Sequence, residues 1–112
     1  MLQACGLAGG EVPELWNITN NETVLNIHEC YAKAGSHIIN ANTFGANRLK
    51  LSGAGFTCEE VISSVVNTAR RAAYLALDIG VTGKLLRPFG DLDFEKAVNN
   101  FAQMIAQDTE LI

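Results

Sequence analysis

The sequence predicts an α/β fold built on a parallel sheet, and an incomplete one. Helical and strand-like hydrophobic patterns alternate in the order α, β, α, β, α, and residues 110–112 read as the opening of a further strand. Such alternation indicates parallel strands joined by helical crossovers. Parallel strands need cover on both faces, and two complete strands leave open edges. The pattern therefore points to part of a larger α/β barrel or sheet, with residues 1–112 forming one incomplete domain.

Each element has a local reason. Residues 1–20 carry little periodicity and are punctuated by Gly9, Gly10 and Pro13, so a loop is expected, with a short helix over residues 1–7. A first clear helix is expected over residues 21–34. Asn20 stands at its N-cap and Glu22 near the positive end of its dipole. Val24, Ile27, His28, Tyr31 and Ala34 recur on one face, and Gly35 suits the left-handed C′ position. Residues 37–41 then read as a strand, two or so residues after the helix, as αβ connections usually run.

The second helix is the best marked. Thr57 followed by Glu60 forms a capping box, and Val61, Ile62, Val65, Val66, Ala69, Ala72 and Ala73 supply an apolar face. Its end is expected near Ala73, because residues 74–77 read as a buried strand. Pro88 and Gly90 mark a loop. Asp93 is expected to cap a third helix to about Ala106, with Phe94, Ala97, Val98, Phe101, Met104 and Ile105 facing inward.

Composition narrows the function. The 112 residues are 48% hydrophobic and 18% charged, an ordinary globular balance. A net charge of -4 argues against nucleic acid, for which a basic face is expected. Arg70 and Arg71 are the only adjacent basic pair, and they fall on the second helix. No apolar run is long enough to span a bilayer, and no basic region precedes an apolar stretch at the N-terminus. Cys5, Cys30 and Cys58 are odd in number and widely spaced, which fits neither a disulfide framework nor a paired-cysteine metal site. Free thiols in a reducing cytoplasm are expected.

Ligands of parallel α/β folds bind at the C-terminal ends of the strands. Two such ends are visible, residues 42–47 and 78–83. Both gather side-chain hydrogen bonders and glycines. Asn42, Thr43 and Asn47 suit a polar amino-acid head group, and Asp78 can accept from an ammonium. Phe44 is placed to line a wall, and Gly45, Gly80 and Gly83 let backbone amides approach a ligand. Strand-end capping explains the same residues without any ligand. His28, on an apolar helix face, reads as a core-edge histidine, His37 has no partner at metal spacing, and Cys58 reads as an inert thiol.

Some of these stretches resemble a known family. Pro13-Glu14-Leu15-Trp16-Asn17, the helix end Tyr31-Ala32-Lys33-Ala34-Gly35 and the run Ile38-Ile39-Asn40-Ala41-Asn42-Thr43-Phe44-Gly45-Ala46-Asn47-Arg48-Leu49-Lys50-Leu51 are similar to the homocysteine-binding S-methyltransferases. Ala76-Leu77-Asp78-Ile79-Gly80-Val81-Thr82-Gly83-Lys84-Leu85-Leu86 adds a separate match. Within that family the likeness is greatest to the N-terminal module of cobalamin-dependent methionine synthases. The resemblance implies a partial (β/α)8 (TIM) barrel, roughly its first half without the first strand. It also implies methyl transfer to a zinc-activated homocysteine thiolate, giving methionine, with homocysteine contacts at Asn42, Thr43, Phe44, Asn47, Asp78 and Gly80.

The departures matter equally. The family's first strand, with its Asp-Gly-Ala-Met-Gly-Thr, belongs just ahead of Met1, and its zinc cysteines and a further glutamate belong beyond Ile112. Cys5, Cys30 and Cys58 do not occupy the zinc positions, so no metal or catalytic residue is assigned here. Cobalamin, where a branch uses it, would act through other domains. Val81 stands where proline is common. The expectation is a methyltransferase fragment, inactive alone. The alternatives are a half-barrel that self-assembles or complements a partner chain, and an unrelated small α/β binding module.

Overall fold

The computed structural model describes residues 1–70 and 74–111. Two 3-10 turns, Leu2–Cys5 and Pro13–Leu15, lead into a short helix α1 (Trp16–Thr19) and then α2 (Asn21–Lys33). Strand β1 (Ile38–Asn40) follows, then α3 (Cys58–Ala69), strand β2 (Tyr74–Ala76) and α4 (Phe94–Leu111). The strands pair in parallel, with Ile38 beside Tyr74, Ile39 beside Leu75 and Asn40 beside Ala76.

The local signals act largely as expected. Thr57 Oγ1 accepts from the Glu60 amide at 3.2 Å, and Glu60 Oε2 accepts from the Thr57 amide at 2.8 Å, which completes the capping box of α3. Gly35 takes φ 100° and closes α2. Its amide bonds Ala32 O and the Ser36 amide bonds Tyr31 O, the paired bonds of a Schellman end. Asn20 occupies the N-cap of α2, but its side chain accepts from the Thr23 hydroxyl rather than from a helix amide.

Several expectations are corrected, among them the buried strand at 74–77, of which Tyr74 is exposed and Leu75 and Ala76 are only partly buried. Residues 13–19 are ordered as a turn and a helix instead of a loop, because Pro13 presets a helical φ at the first position. Residues 110 and 111 do not open a strand. Helix α4 continues through Leu111, since residues 94–111 contain neither glycine nor proline to stop it. Phe94, Val98 and Ile105 do not face inward, being 71%, 47% and 52% exposed. In α4 it is Ala97, Asn100 and Met104 that are buried. Helix α3 ends at Ala69 with Arg70 as its C-cap, ahead of the expected end near Ala73; the expected core positions Ala72 and Ala73 and the last strand residue Ile112 lie outside the described residues.

The core sits on one side of the sheet. Val61, Ile62, Val65 and Val66 of α3 pack with Ala41, Ala46, Leu51, Cys58 and Met104. Burying four β-branched side chains contributes roughly 1.5–3 kcal/mol each. The other side of the sheet is bare: Ile38 is 65% and Tyr74 81% exposed. Strand-end residues Ala41 to Asn47 thus rest on a firm layer of helices while the opposite sheet face lies open.

Candidate functional site

The two polar strand ends meet. Thr43 is fully buried, and its hydroxyl donates to Asp78 O at 2.9 Å and accepts from the Asp78 amide at 3.1 Å. Asn47, also fully buried, donates from Nδ2 to Val81 O at 3.4 Å and accepts the Lys50 amide at Oδ1. Gly80 passes so close to Phe44 that a Cβ there would stand 2.1 Å from the Phe44 carbonyl oxygen. Only glycine permits that approach.

The loop after β1 is held from behind as well. Asn42 Nδ2 donates to Pro13 O at 2.8 Å and to Asn17 Oδ1 at 2.9 Å, while Asn17 Nδ2 donates to Asn42 O at 2.7 Å. Glu14 is 5% exposed, and its carboxylate accepts the Gly45 amide at 2.6 Å. Charge-assisted bonds of this kind are about twice as strong as neutral ones. Asn21 extends the network from Asn17 O to Thr68 Oγ1 in α3.

The six candidate residues therefore divide by what their side chains have left to offer. Thr43 and Asn47 spend their side chains tying the loops together, and Gly80 supplies the close approach. Asn42 and Asp78 line a cavity of about 510 Å3 between α2 and β1. The Asp78 carboxylate has no hydrogen bond or ion pair among the described residues, so it is available to a cation. Phe44 is half exposed, and Lys50 Nζ lies 5.3 Å from its ring centroid. Glu14 and Asn17 escaped the sequence-based assignment. They were visible only as part of the stretch 13–17, and nothing in that stretch says that a carboxylate 31 residues before Gly45 returns to bond its amide.

The remaining reactive groups lie apart. Cys58 Sγ donates to Ala46 O at 2.8 Å, and burial, followed by the nearby Glu59 charge, pushes this thiol up to about 11 against the weaker downward pull of Arg48. His28 is buried on α2, and burial lowers its pKa. Among the described residues no group of three His, Cys, Asp or Glu side chains could hold a metal ion. The zinc implied by the resemblance thus has no fitting donor set among the described residues. No helix among these residues is long and apolar enough to cross a membrane.

Two parallel strands flanked by helices make this a small α/β protein. The homocysteine S-methyltransferase family model matches residues 1–111, and the chain belongs to that family. Among solved structures, that of the homocysteine methyltransferase MmuM from Escherichia coli, in its metallated form, is similar with a TM-score of 0.76 and 17% identity. The match covers 98% of this chain and 46% of that one, so this chain spans just under half the length of that relative. No curated protein matches the chain.

Proposed function

We propose that residues 1–112 are the substrate-side portion of a homocysteine S-methyltransferase barrel, a single incomplete domain in which the two strand-end loops form one wall of the homocysteine seat. Asp78 meets the ammonium of the amino-acid head group with its carboxylate, and Asn42, whose two amide hydrogens go to Pro13 and Asn17, borders the seat with its Oδ1 alone. Phe44 forms the apolar side of the seat, while Thr43, Asn47 and Gly80 fix its shape. The observation that carries this reading is the pair of hydrogen bonds between the Thr43 hydroxyl and the Asp78 backbone, which joins the two loops of the family motif into one surface.

Methyl transfer to homocysteine proceeds by attack of the sulfur, as thiolate, on an electrophilic methyl carbon, so the chemistry needs a group that holds the sulfur deprotonated. The loops supply the head-group side only. Zinc activation and any methylcobalamin donor, as in the methionine synthase branch, belong to parts of an enzyme beyond these residues, and a reducing cytoplasm suits the three free thiols. The chain by itself is then expected to be inactive and to bind zinc weakly. Zinc stoichiometry and methyl transfer to homocysteine by the purified chain test this, and turnover by it would overturn the reading. Calorimetric titration with homocysteine, wild type against Asp78→Ala, tests the seat: equal affinity in both would remove Asp78 from it.

A second reading has its own support. The bare sheet face at Ile38 and Tyr74, and the exposed Phe94, Val98 and Ile105 of α4, suit a half-barrel that assembles with copies of itself or a partner chain. Light scattering that shows a monomer at all concentrations would remove self-assembly.

A further inference from the structure

Asn17 and Asn42 hold each other by two bonds. Asn17 is fully buried in α1; its Nδ2 donates to the Asn42 carbonyl at 2.7 Å, and its Oδ1 accepts from Asn42 Nδ2 at 2.9 Å. The second hydrogen of Asn42 Nδ2 goes to Pro13 O at 2.8 Å. A backbone carbonyl can only accept. Pro13 O therefore requires the nitrogen of the Asn42 amide on its side, and Asn42 O requires the nitrogen of the Asn17 amide. Two carbonyls thus fix the orientation of both side chains. Asn42 Oδ1 is the one polar side-chain atom of the pair left over, and it borders the seat beside Asp78.

The pair is anchored to the helices and not to the loop alone. Asn17 O accepts from Asn21 Nδ2 of α2 at 2.7 Å and from the Ser64 hydroxyl of α3. Asn21 also donates to Thr68 Oγ1 of α3 at 2.6 Å. Helix α3 carries the packed layer, so Asn17 stands fixed against it. Position 17 needs a carboxamide, because it must donate to a carbonyl and accept from an NH2 at once. An ionised carboxylate has no donor, and an apolar side chain has neither group.

We propose that Asn17 is a positioning residue of the homocysteine seat: its amide holds Asn42 with Oδ1 outward, so that the side chains of Asn42 and Asp78 present acceptors and no donor. A substrate ammonium placed there meets a carboxylate and a carboxamide oxygen. An Asn42 free to turn over would set its NH2 against that ammonium, donor to donor. Asn17 thereby supplies part of the preference for an amino acid over the same thiol acid without its amine. The inference rests on the seat reading above and adds to it a residue that itself touches no ligand.

The test compares homocysteine with γ-mercaptobutyric acid, which is homocysteine without its amino group, on the 15N-labelled 112-residue chain. Backbone amide shifts give both affinities, and hydrogen exchange reads the Asn42 side-chain NH2. Both hydrogens of that NH2 are bonded, so in wild type they should exchange about tenfold more slowly, or better, than those of the exposed Asn99. Asn17→Leu keeps the bulk and loses both bonds to Asn42. It should speed that exchange and cut the ratio of homocysteine affinity to γ-mercaptobutyrate affinity about tenfold, the effect of losing one hydrogen bond to a charged group. Asn17→Asp keeps an acceptor for Asn42 Nδ2 and should hold the ratio near wild type, even with a lower melting temperature. A purely structural Asn17 would lower the melting temperature and leave the ratio alone. An unchanged ratio in Asn17→Leu, a ratio lost in Asn17→Asp, or wild-type Asn42 hydrogens that exchange as fast as those of Asn99 would each overturn the proposal. The last two readings decide the matter if Asn17→Leu does not fold. Homocysteine that fails to bind wild type sinks the seat and this inference with it, a result distinct from a bound substrate with an unchanged ratio.

Discussion

Thr43→Val removes the hydroxyl that joins the two strand-end loops and keeps the side chain's size. Thr43 is fully buried, and its one oxygen serves both the Asp78 carbonyl and the Asp78 amide. Each lost bond is worth about 1 kcal/mol net, and more where the orphaned group stays dry. Asp78 is only part-buried, so water recovers some of that loss, and the expected total is about 2 kcal/mol. Thr43→Ser is the matched control. It keeps the oxygen and loses one methyl, for about 1 kcal/mol. Urea unfolding followed by circular dichroism reads both. With a slope of about 1–3 kcal/mol/M, the valine variant's midpoint should fall by about 1 M and the serine variant's by roughly half as much. Amide exchange at Asp78 should accelerate in the valine variant alone. A valine midpoint equal to wild type, or below it by no more than the serine variant's, would refute the claim that this hydroxyl joins the loops.

Further outcomes follow from the same geometry. Gly80→Ala would put a Cβ 2.1 Å from the Phe44 carbonyl oxygen, so the backbone must move, with a stability loss of about 2–4 kcal/mol in thermal melts. Glu14→Ala leaves the buried Gly45 amide unpaired and should cost about 1.5–3 kcal/mol by calorimetry, whereas Glu14→Gln, which keeps an acceptor, should recover most of it. Toward a thiol reagent at neutral pH, Cys5 and Cys30, both exposed, should react before the buried Cys58. The raised pKa of Cys58 means that the folded state holds the thiol proton more tightly than the unfolded chain. Its contribution to stability is complete below about 9 and is lost as pH rises toward about 11, so the wild-type midpoint should fall across that window more steeply than that of Cys58→Ala.

Much of the fold could be read from the chain because its signals are local. The capping box at Thr57 and Glu60, the glycine at position 35 and the apolar stripe of α3 each act within one or two turns of helix, and each operates in the structure as the sequence implies. The family could be read for a related reason: residues 42–47 and 78–83 are contiguous motifs. The face that α4 buries could not be read locally. Its periodicity marks Phe94, Val98 and Ile105 as apolar, yet which apolar residues find cover depends on what packs beside them.

The sequence by itself determined where the three long helices begin, which segments pair as parallel strands, and which family the chain resembles, since hydrophobic period, capping chemistry and motif are properties of neighbouring residues. Only the tertiary structure decided that Thr43 and Asn47 serve to fasten loops, that Glu14 and Asn17 return to brace them through Gly45 and Asn42, and that Asp78 keeps its carboxylate free beside a cavity roofed by α2. Those roles depend on distances between residues about 25–35 positions apart, fixed when α3 packs across the sheet, and no local pattern encodes them.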